Sequence, residues 1–229
     1  MTENRLPVQL DIISDTICPW CYIGKKKLDT ALAQLPDIPV EITWRPFQLN
    51  PDMPLDGMDR QAYLQAKFGG VEGAKQTYDN VRNAAREIGL NLQFERIKTT
   101  PNTLASHSLI RWAHSAGVQD KVVTDLFIAY FEDGKNISDH KVLSDIAEEN
   151  GMDWQSVAHL LAIGSDLDKT RAEDKQAREM GVQGVPAFVF NKQYLISGAQ
   201  PVETFVKMLD TLSDPANRKS GDEKTKPNR

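Results

Sequence analysis

The first fifty residues alternate between two hydrophobic periods. Apolar and polar residues alternate over residues 8–14, which predicts a strand. Residues 18–35 then place apolar side chains at helical spacing, and residues 40–47 return to alternation. Parallel strands that are joined through a helix cross over right-handedly, so this segment predicts a βαβ unit.

Residues 48–60, rich in Pro, Asp and Gly, predict a loop, and the chain then keeps a helical pattern up to residue 180. Apolar residues recur at spacings of three and four, and a glycine follows several of these stretches, as at helix C-termini. The predicted helices cover residues 71–88, 103–116, 120–132, 153–163 and 166–180, with one more that Ser138 or Asp139 would cap.

Strand character returns late in the chain, at residues 187–190. A turn separates this run from a second apolar run at 194–196, which predicts a β-hairpin. A final helix is predicted to begin at Pro201. Residues 213–229 are almost devoid of apolar side chains, which predicts a disordered tail.

Together these elements predict an α/β fold in which an all-helical insertion separates a βαβ half from a ββα half. The two halves occupy residues 1–56 and 181–212, and the insertion occupies residues 57–180. Because two strands alone make a marginal sheet, both halves must contribute to one sheet.

Cys18 and Cys21 are the only cysteines among the 229 residues, and they open the first predicted helix. A spacing of three brings both sulfurs to one face. The free N–H groups and the macrodipole at a helix N-terminus favour a thiolate, the species that attacks a disulfide. We therefore expect Cys18 to be the nucleophile and Cys21 to resolve the mixed disulfide, with Pro19 and Trp20 tuning the couple.

The cysteine pair has two other interpretations. The same spacing occurs in zinc sites, which normally need a second pair of ligands. The sequence offers no further cysteine, and its four histidines lack the spacing of a ligand pair, so we expect no metal. The pair would otherwise be two buried structural thiols. Its place after a strand, within a βαβ unit, favours redox chemistry over both.

A second motif, Gly184-Val185-Pro186-Ala187, directly precedes the late strand. Proline cannot donate to a β-ladder, and an X–Pro bond is the realistic place for a cis peptide bond. Taken alone, the motif indicates an ordinary turn at a strand edge. Its combination with the upstream cysteine pair favours a shared redox site.

The two motifs, C-P-W-C after a strand and G-V-P-A before a hairpin, together resemble the thioredoxin superfamily, and the helical insertion resembles its DsbA-like branch. Within that branch the chain is similar to cytoplasmic FrnE-type proteins, which are related to 2-hydroxychromene-2-carboxylate isomerases and kappa-class glutathione transferases. The similarity covers residues 6–212 and is carried by SDTICPWCYIGKKKL, FQLNPDMP, PNTLASHSLIRWA and GVQGVPAFVFNKQYLISGAQP.

This resemblance implies a thioredoxin fold and a thiol–disulfide oxidoreductase. Cys18 would be the exposed nucleophile and Cys21 the resolving thiol. Pro186 would be a cis-proline that faces the pair, and the backbone of Val185 would hydrogen-bond an extended substrate. The related isomerases and transferases carry serine at the position of Cys18, which argues against their chemistry here.

The same resemblance implies roles for other positions. Pro19 and Trp20 would complete the substrate-binding surface. Secreted DsbA proteins usually carry histidine at the position of Trp20, and losing that cation predicts a weaker oxidant. Asn102, Ser106 and His107 fall where relatives have a helix near the cleft. For these three, a capping Asn and solvated helix residues are the simpler interpretation.

Composition restricts the partners. A net charge of -5 lacks the basic field that attracts nucleic acid, and no apolar run approaches the roughly 18 residues of a membrane span. Residues 1–15 lack the apolar core of a secretory signal, so we expect a cytoplasmic protein. We expect no bound cofactor, protein or low-molecular-weight thiols and disulfides as substrates, and glutathione as a redox partner.

Two functions of other classes remain open at this point. One is glutathione-dependent isomerisation or transfer, in the manner of the related enzymes. The other is a non-catalytic, holdase-like module that binds proteins through its helical face. Loss of Cys18 separates them from the leading interpretation, because only an oxidoreductase depends on that thiol.

Overall fold

The computed structural model describes residues 5–217. It begins with a βαβ unit formed by β1 (Val8–Ser14), α1 (Pro19–Gln34) and β2 (Val40–Pro46). β1 and β2 pair in parallel along their whole length. The three predicted elements are confirmed, with bounds close to those that the hydrophobic pattern indicates.

The segment that follows β2 is mainly helical. It also contains two short strands, β3 (Met58–Asp59) and β4 (Thr99–Thr100), which pair antiparallel. The hydrophobic pattern does not predict this small sheet, since strands of two residues carry no period. The helices are α2 (Arg60–Phe68), α3 (Val71–Arg86), α4 (Leu104–Ser115), α5 (Gln119–Phe131), α6 (His140–Glu149), α7 (Trp154–Ala162) and α8 (Leu167–Glu179).

Several of these helices begin at aspartates whose carboxylates accept backbone N–H groups, the usual N-cap arrangement. The Asp139 carboxylate accepts the Lys141 N–H at 2.8 Å, so Asp139 rather than Ser138 caps α6. Asp59 caps α2 and Asp153 caps α7 in the same way.

The chain returns to the sheet with the hairpin of β5 (Ala187–Phe190) and β6 (Tyr194–Ser197), and α9 (Val202–Ser213) follows. β5 pairs antiparallel with β1 and with β6, which gives the strand order β2-β1-β5-β6. The two ends of the chain therefore share one sheet. This confirms the predicted α/β architecture, a thioredoxin fold with a helical insertion between its halves.

The central strand β1 packs its two faces against different layers, as its alternation predicts. Leu10 and Ile12 are at most 1% exposed and belong to the large core that α1, α5 and α9 share. Ile13 points the other way and packs with Ala177 of α8. The turn that follows β1 is consequently enclosed between the sheet layer and the helical insertion.

The last helix ends at Ser213, which is fully buried and accepts the Leu6 N–H through its carbonyl at 2.8 Å. The predicted tail, residues 213–229, starts at this residue. Its first part is described up to residue 217. Residues 218–229 lie outside the described residues.

Phe205 on α9 and Phe188 on β5 are both fully buried, with ring centroids 4.7 Å apart. We expect Phe205→Ala to lower the free energy of unfolding by about 3–5 kcal/mol, because it removes buried apolar surface and leaves a cavity. Urea unfolding of the purified protein measures this change. Phe68→Ala, at the half-buried end of α2, is the control, and an equal loss there would contradict the expectation.

Candidate active site

The turn that joins β1 to α1, residues 15–18, is here called the cysteine turn. Cys18 is the N-cap of α1, with extended backbone angles, and Pro19 is the first helical residue. Proline suits this position because its missing N–H has no partner inside a helix. The Cys18 N–H donates to the Asp15 carbonyl at 3.0 Å, and the Cys18 carbonyl accepts the Tyr22 N–H at 3.3 Å. The sulfur of Cys18 is thus held at the positive end of the helix.

Both thiols of the pair are buried. Cys21 is 1% exposed and Cys18 only 3% exposed, and no disulfide joins them in the structure. The expectation of an exposed Cys18 is therefore wrong. Its Sγ lies 3.7 Å from the carbonyl oxygen of Val185, so the loop before β5 covers the nucleophile position.

The surroundings of Cys21 raise its pKa well above the ordinary value. Burial is the largest cause, and the hydrogen bond and the charge of Cys18 add to it. Hydrogen bonding from the Ser14 side chain and the Asp15 backbone opposes this rise of the pKa. Cys21 therefore holds its proton more tightly than an ordinary thiol does.

The loop before β5 holds the second motif against α1. The Val185–Pro186 bond is cis, as the resemblance implies. A Cβ atom at Gly24 would lie 3.1 Å from Cγ of Pro186 and 3.2 Å from Cζ of Phe188. Glycine at this helical position therefore permits the close approach of the proline loop to the helix that carries both cysteines.

An open groove of about 490 Å³ runs along this loop. Its walls are formed by residues 181–187 and by the facing end of the hairpin, including Leu195. Leu195 is 53% exposed, and Trp20, between the two cysteines, is 39% exposed. Of the expected binding residues, Val185 and Pro186 line the groove, Trp20 presents an exposed indole, and Pro19 is half-buried.

A buried polar cluster lies on the other side of the cysteine turn. Asp15 is fully buried, and its Oδ2 accepts the Leu49 N–H at 2.7 Å. Its Oδ1 lies 3.4 Å from Nε2 of His107 on α4. His107 is 4% exposed, so its interpretation as a solvated helix residue is wrong.

The neighbours of His107 are buried as well. Ser106 is fully buried and its Oγ lies 2.9 Å from Oγ1 of Thr16 in the cysteine turn. Asn102 accepts the Leu104 N–H at 2.9 Å, which agrees with a capping role, but it is also buried and donates to the Met53 carbonyl at 2.7 Å. The sequence does contain a signal for this burial, since residues 104–110 carry no Asp, Glu, Lys or Arg.

Over residues 5–217, no group of three or more His, Cys, Asp or Glu side chains could hold a metal ion. In the same part of the chain, every helix is too short or too polar to cross a bilayer.

Comparison with known proteins gives a family match and related structures. The model of the family described as "DSBA-like thioredoxin domain" matches residues 9–210. A probable DsbA oxidoreductase of Streptomyces coelicolor is 30% identical with a TM-score of 0.78, over 97% of this chain and 93% of that chain. The uncharacterized protein YwbO of Bacillus subtilis (strain 168) is 26% identical over 220 residues, which is 93% of this chain and 100% of YwbO.

More distant structures share the fold alone. The cytosolic disulfide reductase DsbM of Pseudomonas aeruginosa with GSH is 16% identical with a TM-score of 0.63, over 89% of this chain and 98% of DsbM. A 2-hydroxychromene-2-carboxylate isomerase is 15% identical with a TM-score of 0.66, over 94% of this chain and 98% of the isomerase. The family match, by contrast, runs from the first strand into the last helix, and the chain belongs to the family of DsbA-like thioredoxin domains.

Proposed function

We propose that this protein is a thiol–disulfide oxidoreductase that cycles Cys18 and Cys21 between a dithiol and a disulfide. One observation carries the proposal: within a DsbA-like domain, Cys18 occupies the N-cap of α1 while its sulfur faces the carbonyl of Val185 in the cis-proline loop. Family membership supports the reaction class. The arrangement of the thiols supports the two roles.

In the proposed reaction, the Cys18 thiolate attacks one sulfur of a substrate disulfide. The substrate S–S bond breaks, a substrate thiolate leaves, and a mixed disulfide forms at Cys18. Cys21 then loses its proton to solvent, and its thiolate attacks the Cys18 sulfur and expels the second substrate thiolate. The substrate gains two electrons and the protein becomes a disulfide. The same steps in reverse oxidise a dithiol substrate.

The covered position of Cys18 bears on the kind of substrate. The Val185 carbonyl that contacts the thiol belongs to the backbone that is expected to pair with an extended substrate. A protein segment lying in the groove would displace this contact and reach the sulfur. Glutathione is the proposed small-molecule redox partner, which the likeness to a disulfide reductase solved with GSH supports.

A reducing compartment fits this proposal. The sequence contains two cysteines, both in the site, and none that would staple the fold. The likeness to a cytosolic disulfide reductase supports the same location. We therefore propose that the protein works in the cytoplasm, where thiol pairs of this kind are catalytic rather than structural.

We expect Cys18→Ser to abolish exchange with a glutathione–peptide mixed disulfide, because the attacking thiolate is lost. Cys21→Ser should still attack but not resolve, and should accumulate a covalent adduct at Cys18 that mass spectrometry detects. Full activity in the Cys18→Ser variant would contradict the proposal and favour glutathione-dependent isomerisation or transfer.

A titration of the protein in glutathione redox buffers should show one reversible two-electron transition, which mass spectrometry detects as the change between dithiol and disulfide. The emission of Trp20 should change with it, because the indole is exposed between the two cysteines. Trp20→Phe is the control, and it should lose most of the emission change while keeping the change in mass. A pair that never forms a disulfide in any buffer would rule out the cycle.

The raised pKa of Cys21 predicts a shifted pH profile of its alkylation. In the Cys18→Ser variant, burial still disfavours the thiolate, so the midpoint of the rate of iodoacetamide labelling should lie above that of an ordinary thiol. The same variant unfolded in urea supplies the reference midpoint of an ordinary thiol, at a pH of about 8.5. The midpoint is compared rather than the rate, because burial also slows access. A folded midpoint at or below the unfolded one would contradict the assignment.

A further inference from the structure

Asp15 links the two cysteines through its backbone. Its carbonyl accepts the Cys18 N–H at 3.0 Å. Hydrogen bonding from its backbone lowers the pKa of Cys21, as does hydrogen bonding from the Ser14 side chain. The position of Asp15 therefore sets the groups that face both cysteines.

The carboxylate of Asp15 is held by groups outside its own peptide. Oδ2 accepts the Leu49 N–H at 2.7 Å, and Oδ1 faces the Ile17 N–H at the longer distance of 3.5 Å. His107 brings its Nε2 to 3.4 Å from the same Oδ1. A fully buried carboxylate is unfavourable without such donors, so its orientation depends on them.

The hydrogen position on His107 follows from its surroundings. Nε2 lies 3.2 Å from the carbonyl oxygen of Phe47 and 3.4 Å from Oδ1 of Asp15. Both oxygens are acceptors, so Nε2 carries a hydrogen. It donates this hydrogen to the Phe47 carbonyl and has Oδ1 of Asp15 close beside it. His107 thereby joins α4 to the cysteine turn and to the end of β2.

The other charged groups at this place come from α8. Asp174 is 6% exposed and accepts the Gln48 N–H at 2.9 Å. Arg178 pairs with Asp174 at 3.1 Å and lies 4.1 Å from the ring centroid of Phe47. These two side chains are engaged with each other and with the chain after β2, so His107 supplies the side-chain donor that faces Asp15.

We propose that His107 is a positioning residue for the redox pair, in that its Nε2–H holds the Asp15 carboxylate and so keeps the Asp15 backbone directed at Cys21 during the resolving step. This inference rests on the proposed function. The first attack depends on it less, because the N–H groups of α1 itself stabilise the thiolate of Cys18.

The two steps are separated by mixing reduced protein with one equivalent of 5,5′-dithiobis(2-nitrobenzoate). The Cys18 thiolate breaks the disulfide of the probe and releases one thionitrobenzoate. Cys21 then loses its proton to solvent, attacks the Cys18 sulfur and releases the second. Each release is a phase of absorbance change, and mass spectrometry confirms the intramolecular disulfide at the end.

A matched pair of variants tests the contact. His107→Gln places an amide N–H at about the reach of Nε2, whereas His107→Asn is shorter by one methylene and does not. We expect His107→Asn to slow the second phase about tenfold, as for loss of a hydrogen bond that acts on a charged group. The first phase should change less than about twofold, and His107→Gln should resolve within about threefold of the wild-type rate.

Ser108→Ala is the control for a general loosening of α4. Ser108 is on the same helix as His107, and its replacement removes a buried contact of 3.1 Å to Thr170 of α8 and leaves Asp15 untouched. Both phases should keep their wild-type rates. A second phase of wild-type rate in His107→Asn, or an equal slowing in Ser108→Ala, would overturn the positioning role.

Two further outcomes are decided by the same assay. If His107→Asn does not fold, Asp15→Asn tests the contact from its other side, because an amide cannot accept at both positions, and the second phase should again be slow. Unchanged resolution in Asp15→Asn would refute the role. If the wild-type protein forms no disulfide, the proposed function itself fails, and this is seen before any variant is compared.

Discussion

The register of β1 brings the parts of the site together where this strand ends, at one end of the sheet. Ser14, its last residue, is opposite Pro46 of β2, and Ile13 is opposite Ala187 of β5. The cysteine turn, the end of β2 and the proline loop therefore meet without any further constraint. A shift of one residue would exchange the two faces of β1 and bury its polar side chains, so the same hydrophobic pairing that stabilises the sheet also assembles the thiols.

Burial gives the site its chemical asymmetry. Both sulfurs are shielded from water, yet only Cys18 lies at the end of a helix, where aligned peptide dipoles stabilise negative charge. Cys21 lies one turn inside, where desolvation and its neighbour both disfavour the thiolate. The ionisation of Cys21 therefore depends on a few donors from the end of β1. In the proposed reaction, groups that hold Ser14 and Asp15 in place therefore matter more for the second half than for the first.

Local patterns predict most of this structure. The hydrophobic period, together with the prolines and glycines that bound each element, predicts the strands at 8–14 and 187–190 and the helix that starts at the cysteines. The cysteine pair and Gly-Val-Pro-Ala point to the site directly. Two features escape such reasoning. The covering of Cys18 by Val185 joins positions far apart in sequence, and the burial of His107 depends on α4 packing against the cysteine turn and the end of β2. Helical periodicity assigns one buried face, whereas Ser106, His107 and Ser108 are consecutive and all buried.

The close contact at Gly24 extends the redox motif of α1 beyond its two cysteines. Residues 18, 21 and 24 repeat at intervals of three along α1, so the two thiols and the glycine lie along one stripe of the helix that faces the proline loop. A larger side chain at the third position would hold the loop away from the sulfurs. The signature of this arrangement is therefore longer than a cysteine pair. In this chain it reads Cys-x-x-Cys-x-x-Gly, and the glycine sets how closely the proline loop approaches the helix that carries the pair.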